Sequence, residues 1–364
     1  MTGSGGAQVP AAARSFLVEQ GLAEPGEATT WTPLTGGVSS ELWRVEVGRG
    51  AICVKRALAK LQVAGDWHAP VSRNAVEWDW LSFAAGVIPG HVPVPLAHDP
   101  GRGLFAMSYL PVEDHPVWKA RLLAGAVRPQ EAAAVGDLVG RLHGSSAGDR
   151  QLARRFATDD NFRALRIEPY LVATARRHPG LAGYFEDVIA RTAGTRLAVV
   201  HGDVSPKNVL LGPGGPVLID AECAWYGDPA FDLAFVLNHL LLKSVVIPRH
   251  RELLVASADA LVAAYAAHIS WEPAAGALAR AATLLPALLL ARVDGLSPVE
   301  YLDQGQQAAV RDVARQLAAR RSPDVQAIVR SATQALSADA PLQLRDVGRL
   351  QPGYLGGLVV RLGL

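Results

Sequence analysis

Five polar residues, His201, Asp203, Ser205, Lys207 and Asn208, are concentrated in "VVHGDVSPKNVLL", residues 199–211. Val199 and Val200 lead in, and Val209 to Leu211 lead out. Pro206 has no amide hydrogen to give a strand ladder, so the middle reads as a loop between two apolar strands. Asp203 and Asn208 stand five residues apart, and Asp220 ends the next apolar run, "PVLID". Transfer of a phosphoryl group from a nucleotide needs such a set. One carboxylate orients the attacking hydroxyl and accepts its proton, and further oxygens hold a divalent cation against the phosphates. Asn208 offers an oxygen without added charge, and Asp220 offers the hard anionic oxygen that Mg²⁺ prefers. Taken alone, the loop fits equally well a polar turn whose Asp and Asn merely cap it.

The elements around the loop decide between these readings. H-x-D-x-x-x-x-N, then a strand, then D, is the order of kinase catalytic and metal loops. Upstream, "PLTGGVSSELWRVEV" sets Gly36, Gly37, Ser39 and Ser40 between strand-like runs, where bare backbone and hydroxyls suit phosphates. Lys55 lies inside the apolar strand "AICVKRA", and an inward ammonium there needs an anionic partner. Cys53, with Val47 on the strand before, marks the inward face. Glu77, on the helix "RNAVEWDWLSFAAG", is the expected partner, and the pair would hold the α- and β-phosphates. Asp79 lies about 200° round that helix from Glu77, so both cannot face the sheet. "LFAMSYLP", with Ser108 and Leu110, offers backbone to an adenine edge as the chain crosses between lobes.

Bulk properties are compatible with this. The chain has 364 residues, half of them hydrophobic and 19% charged, which implies a folded protein with a large core. With 35 basic and 34 acidic residues there is no net field to attract nucleic acid. Two cysteines, Cys53 and Cys223, are too few for a disulfide framework and suit a reducing, cytoplasmic setting. The N-terminus shows no apolar signal core. "ATLLPALLLARV" is short and carries a proline and an arginine, so it reads as a buried helix and not a membrane span.

Short β-rich segments dominate residues 28–110, and helical patterns dominate after Pro111: "PQEAAAVGDLVGRLHG", "YFEDVIARTAG", "FDLAFVLNHLLLKS", "RELLVASADALVAAYAAH" and "ALARAATLLPALLLARV". The expected organisation is an N-terminal extension (1–27), a nucleotide-binding N-lobe (28–110), a catalytic and acceptor-binding C-lobe (111–340) and a tail (341–364).

The residues in "LTGGVSSELWRV", Lys55, "HGDVSPKNVLL" and "VLIDAECAWYGDPAFDLAFVL" resemble the aminoglycoside phosphotransferase family, which includes choline and methylthioribose kinases. The likeness covers roughly residues 28 to 325. It implies a protein-kinase-like two-lobed α+β fold, with a small β-rich N-lobe and a larger, mainly helical C-lobe, and ATP and Mg²⁺ as cofactors. It also implies Asp203 as base, Asn208 and Asp220 as metal ligands, Lys55 as nucleotide lysine and Asp232 as brace of the catalytic loop. Glu222 in "DAE" takes either a supporting metal role or an ordinary salt bridge. Ser205 and Lys207 lie close enough on the loop to reach the nucleotide, although a solvent-facing turn lysine is the plainer reading of Lys207.

Asp220 and "GDP" at Gly227–Pro229 are too close for an activation loop that docks a peptide, and no A-P-E follows, so the acceptor is expected to be a small molecule. Residues 112–364 hold 27 Lys/Arg and 25 Asp/Glu, with no net negative field for a polycationic acceptor. In "ALLLARVDGLSPVEYL", resemblance to methylthioribose-kinase-like sequences implies that Arg292 faces the acceptor, the plainer alternative being a structural pairing with Asp294 or a helix end. Ser297, Pro298 and Glu300 read as a helix start. "NFRALRIEPYL" is a second candidate for the acceptor side. The expected activity is phosphorylation of a hydroxyl on a soluble metabolite or natural product. An antibiotic-inactivating kinase and a nucleotide-binding pseudokinase are the alternatives.

Overall fold

The computed structural model describes residues 10–34, 40–58 and 73–338. Gly36, Gly37, Ser39 and the tail lie outside the described residues. The N-terminal part runs α1 (Ala11–Glu19), β1 (Thr30–Pro33), β2 (Ser40–Val47), β3 (Gly50–Ala57), α2 (Arg73–Val87), β4 (Pro95–Asp99) and β5 (Leu104–Ser108). Its strands form one antiparallel sheet in the order β1-β2-β3-β5-β4.

Side chains alternate across this sheet as strand pleating requires. Trp43, Val45, Val54, Leu104 and Ala106 face α1, packing on Ala13, Phe16 and Leu17. Leu42, Cys53, Phe105 and Met107 face α2, packing with Val76, Trp80, Leu81 and Ala84. The segment expected as an N-terminal extension thus supplies the helix that covers the outer face. Val47 falls on that outer side, not with Cys53, because Cys53 pairs across the ladder with Arg44, and residues 43, 45 and 47 point the other way.

The C-terminal part begins with α3 (Trp118–Leu123), α4 (Pro129–Ser146), α5 (Arg150–Arg155) and α6 (Asp159–Phe162). A π-helical segment, 163–172, follows and contains Pro169, which cannot donate the bond an α-helix would need there. Next come α7 (Ala173–Arg177), α8 (Ala182–Gly194), β6 (Ala198–Val200), β7 (Val209–Gly212), β8 (Gly215–Leu218) and β9 (Trp225–Gly227). Finally α9 (Ala230–Val246), α10 (Arg251–Ala266), α11 (Ala274–Asp294), α12 (Gln304–Arg320) and α13 (Val325–Ala338) complete the lobe. The two-lobed α+β architecture agrees with the sequence reading.

Helix α9 is the hub. Every residue from Ala230 to Val245 is buried, as expected of a helix that is apolar on all sides. Helix α11, with 21 residues, is long and apolar enough to span a bilayer by length and composition, which the shorter apolar run in its sequence does not suggest. Most of it is buried, and it packs along α9 and α12. The expected helix start at Ser297 is absent. Ser297 spends both its carbonyl and its hydroxyl on the Arg292 guanidinium, and α12 starts instead behind Asp303, whose side chain forms a capping box with Gln306.

Helices α4 and α10 approach closely at Gly136, where a Cβ would meet the Leu261 carbonyl oxygen at 2.3 Å. Gly136→Ala should therefore destabilise the fold by about 1–3 kcal/mol in urea unfolding. Gly183→Ala, on α8 with no atom within 4 Å of the new Cβ, should be neutral or stabilising. Equal effects at the two positions would contradict this packing.

Candidate active site

Lys55 projects from β3 beneath α2 and is 3% exposed. Its Nζ lies 2.6 Å from Glu77 on α2 and 2.6 Å from Asp220 in the C-terminal lobe. One ammonium therefore joins both lobes. Burial works against the Lys55 charge, but Asp220 and Glu77 outweigh it and hold its pKa above the ordinary value. Lys55 and Lys207 overcome burial at Asp220 and bring its carboxyl down to about 2. Burial pushes Glu77 up to about 8, against the pull of Lys55. Asp79 points away and meets Arg155 at 2.5 Å, as the helical geometry requires.

Asp220 adopts φ 65°, a left-handed conformation rare for a residue with a side chain. That turn ends the strand at Leu218, two residues earlier than the apolar pattern suggests, and carries Asp220 toward Lys55. Strained backbone of this kind concentrates at functional sites.

The loop 201–208 joins β6 to β7 and is braced from below. Asp232 on α9 accepts the His201 amide at 2.8 Å and the Gly202 amide at 2.9 Å. Its Oδ2 also meets His143 Nε2 at 3.2 Å, and His143 Nδ1 reaches the Tyr265 hydroxyl at 2.9 Å. Gly202 has φ 77°, and a Cβ there would strike the Cys223 carbonyl oxygen at 2.7 Å. Glycine alone fits. The His201 ring packs edge-on to Trp80 of α2, and its Nδ1 accepts the Asp203 amide.

Asp203 is 4% exposed, and two cations converge on its Oδ2: Arg166 at 2.9 Å and Lys207 at 3.1 Å. Burial alone would raise its pKa, but these cations hold it below the usual carboxylate range. It is ionised at neutral pH and able to accept a proton. Arg166 comes from the π-helical segment, donates to the Gly202 carbonyl at 2.5 Å and lies over Tyr170 and Phe235. The sequence marks only its stretch, "NFRALRIEPYL", as a candidate for the acceptor side and not Arg166 itself, although Pro169 three residues later signals the irregular helix that aims it.

Asn208 donates from Nδ2 to the Asp203 carbonyl at 3.1 Å, which leaves its buried Oδ1 without a partner among the described residues. The Asn208 carbonyl accepts the Ile219 amide, so this amide side chain lies beside the turn that carries Asp220. An orphaned amide oxygen and an ionised carboxylate form a fitting pair for Mg²⁺, which takes its remaining ligands from phosphates and water. The described residues contain no group of three His, Cys, Asp or Glu side chains placed to hold a metal unaided. Ser205 Oγ is also buried and unpartnered. Glu222 is held by buried Arg73 at 3.1 Å, an ion pair across the lobes. Ser40 is buried at the start of β2, while Ser108 accepts the Val94 amide and Leu110 packs at the crossing between lobes.

Beyond Asp203, Arg292 does not pair with Asp294. Residues two apart on a helix point to different sides; Asp294 instead binds Arg311 and His178 at 2.7 and 2.8 Å. Arg292 donates to the Tyr170 hydroxyl at 3.1 Å and to Ser297. Nearby lies Lys243 of α9, fully buried and also unmarked in the sequence reading. Burial, aided by Lys119, brings its pKa down to about 7.

The chain matches the Phosphotransferase enzyme family over residues 30–249. It belongs to that family. Among its relatives are the methylthioribose kinases of Pectobacterium atrosepticum, 24% identical over 63% of this chain and 64% of that one, and of Pectobacterium carotovorum, 25% identical over 56% and 57%. The chain thus spans less than two thirds of the length of these curated relatives. The fold is similar to that of a Plasmodium vivax ethanolamine kinase, with TM-score 0.55, 9% identity and coverage of 84% of this chain and 89% of that one. It is likewise similar to an amicoumacin kinase, with TM-score 0.52, 15% identity and coverage of 83% and 91%.

A pH test follows from Lys243. Its folded pKa lies below its unfolded one, so the unfolded chain binds more protons between about pH 7 and pH 10, and stability rises with pH there. Facing it are Lys119, Arg292, Glu300, Tyr301 and His239. Wild type should gain a few kcal/mol on Lys243→Met across that window in denaturant titrations, roughly 1.4 kcal/mol per unit of pKa difference. A pH-independent difference would contradict an unpaired buried ammonium.

Proposed function

We propose that the protein is a small-molecule kinase that transfers the ATP γ-phosphoryl group to an acceptor hydroxyl. The carrying observation is the contact of Lys55 with both Glu77 and Asp220, beside a loop where Asn208 keeps Oδ1 free and Asp203 is ionised. Family membership supports this reading, as do relatives named methylthioribose kinase and a similar fold solved with AMP-PNP and Ca²⁺.

Bound ATP with Mg²⁺ would supply the phosphoryl group and the charge that offsets its oxygens. Lys55, fixed by Glu77, holds the α- and β-phosphates. Asn208 Oδ1 and Asp220 would hold the cation when it is bound, and Glu222 is left to its Arg73 pair. Asp203 orients the acceptor hydroxyl and takes its proton as the oxygen forms its bond to phosphorus and ADP departs. Lys207 and Arg166 keep Asp203 anionic beforehand, and Lys207, with its side chain about one third exposed, faces the transferring group. Ser40 and Ser205 line the phosphate side, and the backbone at Ser108 and Leu110 meets the base.

Asp203→Asn keeps the shape of the side chain but removes the base. Turnover, read as ADP release with a panel of hydroxylated metabolites, should fall by about 10²–10⁴-fold. Binding of Mg²⁺ and AMP-PNP, read by calorimetry, should remain within a few fold of wild type. Near-normal turnover in this variant would remove Asp203 from the role.

A further inference from the structure

Past Asp203, cationic side chains gather in the C-terminal lobe. Arg166, which pairs with Asp203, lies 5.4 Å from the Tyr170 ring centre, and Arg292 lies 5.6 Å from the same ring. Tyr170 therefore links the catalytic loop to a group made of Lys119 from α3, Lys243 from α9, and Arg292 with Tyr301 at the end of α11 and beyond. Lys119 and Lys243 stand 5.6 and 5.3 Å from the Tyr301 ring centre. Lys207 of the catalytic loop is near enough to depress Lys119 and His239.

Anions do not match this charge. Glu300 pairs with Lys119 and is 39% exposed at the rim, the one carboxylate among the described residues that contacts any of these side chains beyond the catalytic loop. Lys243, fully buried, has only a long contact of 3.5 Å to the His239 carbonyl of its own helix. Arg292 Nε and the Tyr301 hydroxyl are buried with no partner among the described residues. A buried ammonium and two buried donors left without acceptors are each costly, and a bound anion is one way to satisfy all three together. A choline-like or polyamine acceptor would add positive charge to this group.

We propose that the acceptor carries an anionic group, a carboxylate or a phosphate ester, which Lys243, Arg292 and Tyr301 bind while its hydroxyl faces Asp203. This rests on the kinase reading above. It narrows the acceptor to hydroxy acids or phosphorylated polyols. Lys243 and Arg292 then set specificity, and Lys119, already engaged by Glu300, adds to the field.

Calorimetry on the full chain without nucleotide tests this with inorganic phosphate, glycerol phosphate, gluconate, glycerol, glucose and choline. At least one anionic probe should bind about ten-fold or more tightly than its neutral counterpart and than choline. Preference for phosphate and glycerol phosphate would identify an ester, and preference for gluconate a carboxylate. Lys243→Met should abolish the preference, whereas Lys243→Arg should retain most of it. Arg292→Met offers a second, partly exposed position should the buried substitution unfold the chain, which circular dichroism would report. Equal binding of anionic and neutral probes, tighter binding of choline, or a preference unchanged in both Met variants would overturn the proposal. Because no nucleotide is present, a failure of the kinase reading appears separately, as absent ADP release in the presence of ATP and Mg²⁺.

Discussion

One ammonium shared by two carboxylates holds the site together. Lys55 Nζ lies 2.6 Å from Glu77 in its own lobe and 2.6 Å from Asp220 in the other. A buried cation with one partner removed is destabilising by about 3–5 kcal/mol, so each member constrains the rest. Helix α2 must lie where Glu77 reaches β3, and the turn at Asp220 must adopt its left-handed backbone to reach the same point. The Arg73–Glu222 pair ties the start of α2 to the same turn. These two ion pairs fix the lobes at the site alongside an apolar contact, since the inner face of the sheet and α2 share one buried cluster with the C-terminal lobe and Trp80 meets His201.

The C-terminal lobe solves a different problem, holding a polar loop rigid inside an apolar bundle. Asp232 does so from the fully buried α9, meeting two loop amides with its two oxygens while His143 and Tyr265 complete its hydrogen bonds. Arg166 approaches from the other side and touches both the Asp203 carboxylate and the Gly202 carbonyl. Pro169 prevents the regular α-helix, and the wider turn around it presents Arg166 and Tyr170 to the loop. In the proposed reaction this rigidity matters because a base misplaced by an ångström loses much of its effect.

The parts of the site carried by short, contiguous patterns were readable from the chain. The spacing from His201 to Asn208, the strand that follows it, and a lysine in an apolar strand with an acid on the next helix all have local signatures. The two lobes were readable from the change in hydrophobic period near residue 110. What was missed depends on partners distant in sequence. Arg166, Lys119, Lys243 and His143 look like ordinary residues of helical stretches until the bundle assembles around them. Ser297–Glu300 carries a helix-start pattern, but Arg292 takes the Ser297 oxygens that a cap would use. Val47 was misplaced because the register of β2 against β3 decides which face it shares, and that register is not written in either strand alone.

The most direct measurement is a double-mutant cycle on Lys55→Met and Glu77→Gln, read as the affinity for AMP-PNP with Mg²⁺ by calorimetry, with circular dichroism to confirm folding. In the proposed reaction Glu77 acts on the phosphates only through Lys55, so Lys55→Met should weaken binding by about ten-fold or more and Glu77→Gln by less. The double variant should match Lys55→Met within about two-fold, a coupling on the order of 1 kcal/mol. Strict additivity, or wild-type affinity in Lys55→Met, would contradict the shared ammonium as the organising contact of the site.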